Sequence, residues 1–212
     1  MELRRDSTLS FYEANAAEAV ADYEAVDFSS VLQPVLEHLS AGARVLEIGC
    51  GSGRDAAVLL ARGCDVTATD ASDAMLTQAA ARHPELQDRL LRYAVPGPLP
   101  FASHSFDAVI AMAVIMHLAF EDIGKAFGEI VRVLKPHGIF AYSVNTERVG
   151  LDERGYDDRG RYFTCLSTAD WEQLHTEAGF ETVSLSKERD LIERTGVSWV
   201  SFIARRYFDG KH

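Results

Sequence analysis

The chain has 212 residues, 47% of them hydrophobic and 25% charged, a balance typical of a globular domain with a buried core rather than of a disordered segment. Its 32 acidic side chains exceed its 21 basic ones, and the formal charge of −11 disfavours nucleic acid and anionic lipid as partners. The three cysteines lack the spacing of a zinc site or a disulfide framework, and no apolar run reaches the length of a membrane helix, so we expect a cytoplasmic protein that holds no metal.

The predicted elements begin with two helices. Residues 11–25 are rich in alanine, and the segment after Asp27 repeats valine and leucine at the spacing of one helix face. From Arg44 onward, short β-branched segments alternate with amphipathic helical ones. The predicted strands are Arg44–Ile48, Asp65–Thr69, Leu90–Val95, Ala108–Ala113, Ile139–Val144, Glu181–Leu185 and Val197–Arg205. Between them we predict helices over Asp55–Arg62, after Ser72, over Phe120–Leu134 and over Ser167–Ala178, a tight turn at Lys135–Gly138 and a polar insertion at 145–166.

This alternation predicts an α/β fold, a doubly wound and mostly parallel sheet of seven strands with helices on both faces. We expect residues 1–212 to form a single domain. Ligands of such sheets bind outside the carboxyl ends of the central strands. The loops after Ile48, Thr69, Val95 and Ala113 should therefore meet at one cleft.

The most informative stretch is the loop after the first predicted strand. Gly49, Gly51 and Gly53 let the backbone turn sharply and let a ligand lie against main-chain N–H groups. Asp70 ends the second predicted strand, 21 residues after Gly49, where a carboxylate can accept both hydroxyls of a ribose. Together they predict a ligand that contains adenosine. Arg54 occupies the third slot of the dinucleotide fingerprint GxGxxG, which weakens a nicotinamide interpretation and leaves it open.

Several motifs in chain order carry a resemblance to a known family. They are the acid-and-glycine loop from Glu47 to Gly53, Asp70, Leu99-Pro100-Phe101 followed by Ser105-Phe106-Asp107, and Leu134-Lys135-Pro136-His137-Gly138. Over residues 10–206 the chain resembles the class I S-adenosylmethionine-dependent methyltransferases, particularly small bacterial members that act on small molecules. One position departs from the family pattern, since an acidic residue often stands where this chain has Val95.

The resemblance implies S-adenosyl-L-methionine as the methyl donor and S-adenosyl-L-homocysteine as the product. It also implies that the helical region 1–40 covers the cofactor as a lid, and for Glu47 it favours support of the loop over direct contact. The residues expected to bind the cofactor are Tyr12, Glu47, Gly49, Cys50, Gly51, Gly53, Asp70, Ala71, Met75, Ala94, Val95, Met112 and Ala113.

Two features bear on the acceptor. His117 follows the fourth predicted strand, which the family places near the methyl group, and it is either a general base or a packing histidine at the start of a helix. The insertion 145–166, rich in arginine and tyrosine, is either a cover over the substrate or a solvated loop.

The predicted function is therefore methyl transfer from S-adenosylmethionine to a small-molecule acceptor. Two alternatives stay open: a nicotinamide-dependent oxidoreductase on the same class of fold, and a non-catalytic module that binds the cofactor without turnover. The sequence leaves the acceptor undefined, and it leaves open whether the protein is a monomer or a homodimer.

Overall fold

The computed structural model describes residues 2–191 and 194–207. Its centre is one seven-stranded sheet with the strand order β3-β2-β1-β4-β5-β7-β6. The strands β1 to β5 pair in parallel, and β7 runs antiparallel to both β5 and β6. This confirms the predicted mostly parallel sheet. The strands are β1 Arg44–Ile48, β2 Asp65–Asp70, β3 Leu90–Arg92, β4 Phe106–Met112, β5 Leu134–Arg148, β6 Phe180–Arg189 and β7 Val197–Arg206.

Helices cover both faces of the sheet, as predicted. Because side chains alternate along a strand, Val45 of β1 packs in a core with α2 and α3, while its neighbour Leu46 packs in a second core with α5 and α6. The helices are α1 Glu2–Glu24, α2 Ser29–Leu36, α3 Arg54–Ala61, α4 Asp73–Arg82, α5 Phe120–Val133 and α6 Thr168–Glu177, with short 3-10 turns at Pro84–Arg89 and Ile115–His117.

Two predicted helix starts depend on a capping side chain, and the structure contains both caps. The Ser72 hydroxyl accepts a hydrogen bond from the Met75 amide at the start of α4. Ser167 and Asp170 form a reciprocal capping box at the start of α6. Each capping side chain accepts a hydrogen bond from an N–H group that the first helical turn leaves without a partner. The start of each helix can therefore be predicted from the sequence.

The first helix and the third strand differ from their predicted bounds. The helix α1 begins at Glu2 rather than at residue 11, and Asn15 interrupts it with non-helical angles (φ −122°, ψ 20°). The strand β3 stops at Arg92 rather than at Val95. Pro96 and Pro98 lie in the segment that follows. Because proline has no N–H to donate, this segment is unsuited to continue the strand.

The predicted turn at Lys135–Gly138 is wrong, because these residues lie inside β5. The pairing of β5 with β4 passes from Leu134 directly to Ile139, so the chain bulges between them, with His137 at a φ of 63°. The same strand continues to Arg148 because β7 pairs with it along its length. The predicted insertion 145–166 therefore begins only after Arg148, and its first four residues belong to the sheet.

The described part of the chain contains neither a membrane-spanning helix nor a metal-binding cluster. None of its helices is both long and apolar enough to cross a membrane. Within residues 2–191 and 194–207, no group of three or more His, Cys, Asp or Glu side chains is arranged to hold a metal ion.

Candidate active site

A cavity of about 300 Å³ opens at the carboxyl ends of β1, β2 and β4, the edge of the sheet at which the sequence predicted a cleft. Its size is that of a small-molecule pocket. Of the residues predicted to form a site, all except Gly53 line it, namely Tyr12, Glu47, Gly49, Cys50, Gly51, Asp70, Ala71, Met75, Ala94, Val95, Met112, Ala113 and His117.

The glycine loop between β1 and α3 is shaped by two close approaches. Gly49 has a φ of +71°, and a Cβ there would lie 2.3 Å from Cγ2 of Val114, so no other residue fits without a shift of the backbone. Gly53 has a φ of +82° and precedes α3, where a Cβ would lie 3.0 Å from Leu86 Cδ1 and 3.2 Å from Ala79 Cβ. Gly53, predicted to bind the cofactor, is not among the cavity-lining residues, and its missing Cβ allows close packing against α4 and the turn that follows it.

Asp70 joins the loop to the end of β2. Its Oδ2 accepts the Gly51 amide and its Oδ1 accepts the Ser72 amide, each at 2.9 Å. Burial raises the pKa of Asp70 above its ordinary value, and these main-chain amides act in the opposite direction. The Ala71 amide also bonds this carboxylate, and the acceptor capacity that remains on Asp70 is available to a hydroxyl donor from the cavity.

Glu47 lies beneath the loop with 3% of its surface exposed. It accepts a bond from the Ala56 amide, an N–H group in the first turn of α3, which fits the predicted supporting role. Its Oε2, however, is buried without a hydrogen-bond partner among the described residues. Burial raises the pKa of Glu47 well above its ordinary value, and the neighbouring Asp55 adds to this effect.

His117 ends the 3-10 turn after β4 and directs its ring between the cavity and Tyr162. Its Nδ1 lies 2.7 Å from the Tyr162 carbonyl oxygen, and its Nε2 lies 3.5 Å from the hydroxyl of Tyr12. A carbonyl only accepts, so Nδ1 carries the proton and Nε2 presents a lone pair. Burial lowers the pKa of His117 to about 4, with Arg161 and Arg148 adding to the shift.

The first helix forms part of the cavity wall. Tyr12 and Tyr23 line the cavity, and the Tyr23 hydroxyl donates to the Tyr12 hydroxyl at 3.3 Å. Arg54, the first residue of α3, donates through Nη1 to the Tyr23 carbonyl at 2.7 Å and through Nε to Asp55 at 2.8 Å. The glycine loop and the end of α1 are therefore tied together.

Sequence reasoning missed the contribution of the antiparallel end of the sheet. Besides Arg148 and Arg161 of the predicted insertion, this end supplies cavity residues around the β6–β7 connection: Glu188, Asp190, Leu191, Arg194 and Trp199. Because β7 runs antiparallel to β5, its first residues lie beside the carboxyl end of β5. To predict these residues one must know the direction of β7, because a β7 parallel to β5 would begin at the edge of the sheet away from the cavity.

Several known proteins are similar to this chain in sequence or in fold. A family model described as a methyltransferase domain matches residues 46–142. A demethylmenaquinone methyltransferase of Clavibacter sepedonicus is 37% identical over 119 residues, which are 55% of this chain and 47% of that protein. A probable S-adenosylmethionine-dependent methyltransferase of Mycolicibacterium smegmatis is 31% identical over 146 residues, 69% of this chain and 55% of that protein. The chain thus spans about half the length of these relatives.

A solved structure shows the same fold over nearly the whole chain. The 1,6-didemethyltoxoflavin-N1-methyltransferase of Burkholderia thailandensis, solved with 1,6-didemethyltoxoflavin and S-adenosylhomocysteine, superposes with a TM-score of 0.71 at 23% identity, covering 98% of this chain and 88% of that one. The family model, the relatives and the seven-stranded sheet agree with one another. Residues 46–142 therefore match a methyltransferase domain, relatives that include an S-adenosylmethionine-dependent methyltransferase are similar to this chain in sequence, and the fold over nearly the whole chain is that of such an enzyme.

Proposed function

We propose that this chain transfers a methyl group from S-adenosylmethionine to a small-molecule acceptor and releases S-adenosylhomocysteine. One observation carries the proposal: the glycine loop, Asp70 and His117 face a single cavity of about 300 Å³. The names of the relatives and the S-adenosylhomocysteine held by the structural relative support it.

The residues at the glycine loop fit this cofactor. Asp70 has acceptor capacity left for a hydroxyl of a ribose. The buried Oε2 of Glu47 has no hydrogen-bond partner in the part of the chain that the structure describes, and an ammonium group such as that of a methionine moiety would satisfy it. Met75, which is 2% exposed, offers an apolar side chain on which an adenine ring can pack.

The chemistry divides between cofactor and protein. S-adenosylmethionine, when bound, supplies a methyl group already activated by its sulfonium. The protein holds the acceptor atom close to the methyl group and in line with it. For well-aligned reacting groups this positioning lowers the activation barrier by about 7 kcal/mol. His117 Nε2 accepts the proton of an acceptor hydroxyl or amine, and the bond from Nδ1 to the Tyr162 carbonyl holds the ring in that orientation.

The two alternatives make different predictions. A nicotinamide enzyme needs a cation for a pyrophosphate, but Arg54 beside the loop already bonds Asp55 and the Tyr23 carbonyl. A non-catalytic module would bind the cofactor and transfer nothing. The first alternative predicts binding of NADH, and the second predicts no labelled product.

We extend the proposal to the organisation of the chain. Residues 1–212 act as one domain, with region 1–40 as a lid and the segment after Arg148 as the cover over the acceptor; the positions of Tyr12, Tyr23 and Arg161 on the cavity wall support this. We also propose a cytoplasmic location and no nucleic-acid partner, supported by three free cysteines and the charge of −11.

The first test is the binding of S-adenosylhomocysteine by calorimetry. Asp70→Ala removes the acceptor for the ribose and should weaken binding at least tenfold, a loss of about 1.4 kcal/mol. Asp73→Ala, an exposed acid three residues away, is the matched control and should bind like the wild type. Unchanged affinity in Asp70→Ala contradicts the proposal, as does tighter binding of NADH than of S-adenosylhomocysteine.

The second test identifies the acceptor. The protein is incubated with S-adenosylmethionine labelled in its methyl group and a metabolite extract, and labelled products are identified by mass spectrometry. We expect label in a small molecule. Binding of the cofactor without any labelled product would favour the non-catalytic module.

A further inference from the structure

Two buried arginines enclose one end of the cavity. Arg148 is the last residue of β5 and Arg161 lies in the segment after it, with side chains 8% and 12% exposed. The ring of Phe163 lies 4.0 Å from Arg148 Cζ and 5.6 Å from Arg161 Cζ, and its centroid is 4.6 Å from that of His117. Both guanidinium groups therefore lie beside the proposed base.

A single carboxylate neutralises this pair. Asp157, 5% exposed, accepts through Oδ2 from Arg148 Nη2 at 3.2 Å and from Arg161 Nε and Nη2 at 2.9 and 2.7 Å. Its Oδ1 accepts the amides of Arg159 and Arg161. The Nε of Arg148 is buried and has no partner among the described residues. The two guanidinium groups thus share one bonded carboxylate, and the Nε of Arg148 remains available to a ligand in the cavity.

Of the other charged groups at this end, Arg194 and Asp190 pair with each other, whereas Glu188 is bonded to a neutral hydroxyl and keeps its negative charge. Arg194 pairs with Asp190 at 2.5 Å, and Asp190 also accepts from Trp199 Nε1 at 2.8 Å. Glu188 accepts a hydrogen bond from the Ser186 hydroxyl at 2.8 Å. A buried guanidinium N–H without a partner is unfavourable, and an anion bound in the cavity would satisfy it.

We infer that the methyl acceptor carries a carboxylate or a phosphate group, and that Arg148 and Arg161 bind this group beside His117. The inference rests on the proposed methyl transfer and names its substrate class. The planar fork of a guanidinium matches both anions, and Phe163 offers an apolar face to the rest of the molecule. An acceptor held there presents its nucleophilic atom between His117 and the wall formed by Met112 and Ala113.

The test uses three small probes titrated into the wild-type protein saturated with S-adenosylhomocysteine. Benzoate and phenyl phosphate are anionic, and benzamide matches benzoate in shape without its charge. We expect at least one anion to bind at least tenfold more tightly than benzamide, and the stronger anion identifies the group as carboxylate or phosphate. The inference is overturned if neither anion binds, or if benzamide binds as tightly as both.

Variants then locate the site. Arg148→Gln should weaken binding of the anion at least tenfold and leave benzamide unaffected, and Arg161→Gln repeats the test if the first variant does not fold. Arg154→Gln, in the same segment and 79% exposed, is the matched control and should bind like the wild type. Anion affinity within twofold of wild type in both cavity variants overturns the inference. The affinity for S-adenosylhomocysteine is measured in parallel. If the wild type does not bind S-adenosylhomocysteine, the proposed function fails, and not only the inference about the acceptor.

Discussion

At the scale of single residues, the contacts of His117 are compatible with both roles that the sequence left open, proposed base and packing residue. Its ring packs at 4.6 Å from Phe163, and its Nδ1 proton is committed to the Tyr162 carbonyl. These contacts leave Nε2 as the only ring atom that can accept a proton. A base with a pKa near 4 is weak, but Arg148 and Arg161 contribute to that low value. An anionic acceptor bound to them would offset their charge and raise the pKa of His117 when the base is needed.

We predict that His117→Gln lowers kcat by about 100-fold or more, because general-base catalysis typically contributes that much. The affinity for S-adenosylhomocysteine should stay within about threefold, since the variant leaves Asp70 and the glycine loop intact. The measurement is the initial rate with the acceptor found in the label screen, together with calorimetry of the product cofactor.

His38→Gln, at an exposed position of the α2 C-terminus, is the control for this experiment. Because the pKa of His117 is about 4 without acceptor, kcat/KM of the wild type, which reports the free enzyme, should not fall through protonation of this residue between pH 8 and 5.5. A kcat for His117→Gln equal to that of the wild type would leave His117 with a packing role only.

At the scale of elements, α1 and the segment after β5 are bonded across the cavity. The Ser7 hydroxyl donates to the Gly160 carbonyl, and the Tyr162 amide donates to the buried hydroxyl oxygen of Thr8 at 2.9 Å. Asn15 breaks the helical geometry of α1 between these contacts and Tyr23. Two hydrogen bonds therefore join the first half of α1, the proposed lid, to the segment after β5.

We predict that Thr8→Val opens this closure. Valine has the same shape but cannot accept a hydrogen bond, so the Tyr162 amide would be left buried and unpaired, which costs about 1–3 kcal/mol. Amide hydrogen exchange over residues 7–15 should rise, and S-adenosylhomocysteine should dissociate several times faster. Thr176→Val, the same change on the exposed face of α6, is the control. Unchanged exchange and dissociation in Thr8→Val would show that this bond does not hold the lid.

The elements that sequence predicted best are those with a local cause. The strand β1, the caps Ser72 and Ser167 and the glycine loop each follow from a few neighbouring residues. The sequence did not predict the full length of β5 or the close packing around Gly53. The length of β5 depends on pairing with β7, 49 to 66 residues away, and the packing of Gly53 depends on Leu86 and Ala79. Such contacts are set by the tertiary fold and leave no periodic signal.

At the scale of the whole molecule, the fold holds two neutral histidines on different elements. His175 of α6 is fully buried, with Nδ1 at 2.8 Å from the Tyr142 hydroxyl and Nε2 at 2.9 Å from Thr182 Oγ1. Burial lowers the pKa of His175 to about 4, the same value as for His117. In the unfolded chain both should titrate near 6.5. Between these two pH values the unfolded state binds more protons than the folded state.

The contribution of these two histidines to the stability should therefore fall as the pH falls from about 6.5 towards 4, since their protonation then favours unfolding. Each of the two histidines contributes up to about 2 kcal/mol to this loss between pH 7 and pH 5. Buried Asp70, Glu47 and Asp55 act in the opposite direction, because burial raises their pKa values and the folded state then binds the extra protons. The dependence of the wild-type free energy of unfolding on pH therefore combines opposing contributions, and single variants isolate the contribution of one group.

His175→Gln isolates one histidine, because glutamine keeps hydrogen-bonding capacity at the site and does not titrate. We predict that its free energy of unfolding, measured by urea denaturation at pH 7 and pH 5 at constant ionic strength, falls by up to about 2 kcal/mol less than that of the wild type. The exposed His38→Gln variant should keep the wild-type slope. Equal slopes for His175→Gln and wild type would mean that His175 is protonated in the folded state near pH 5, and that the Tyr142 and Thr182 contacts accommodate its charge.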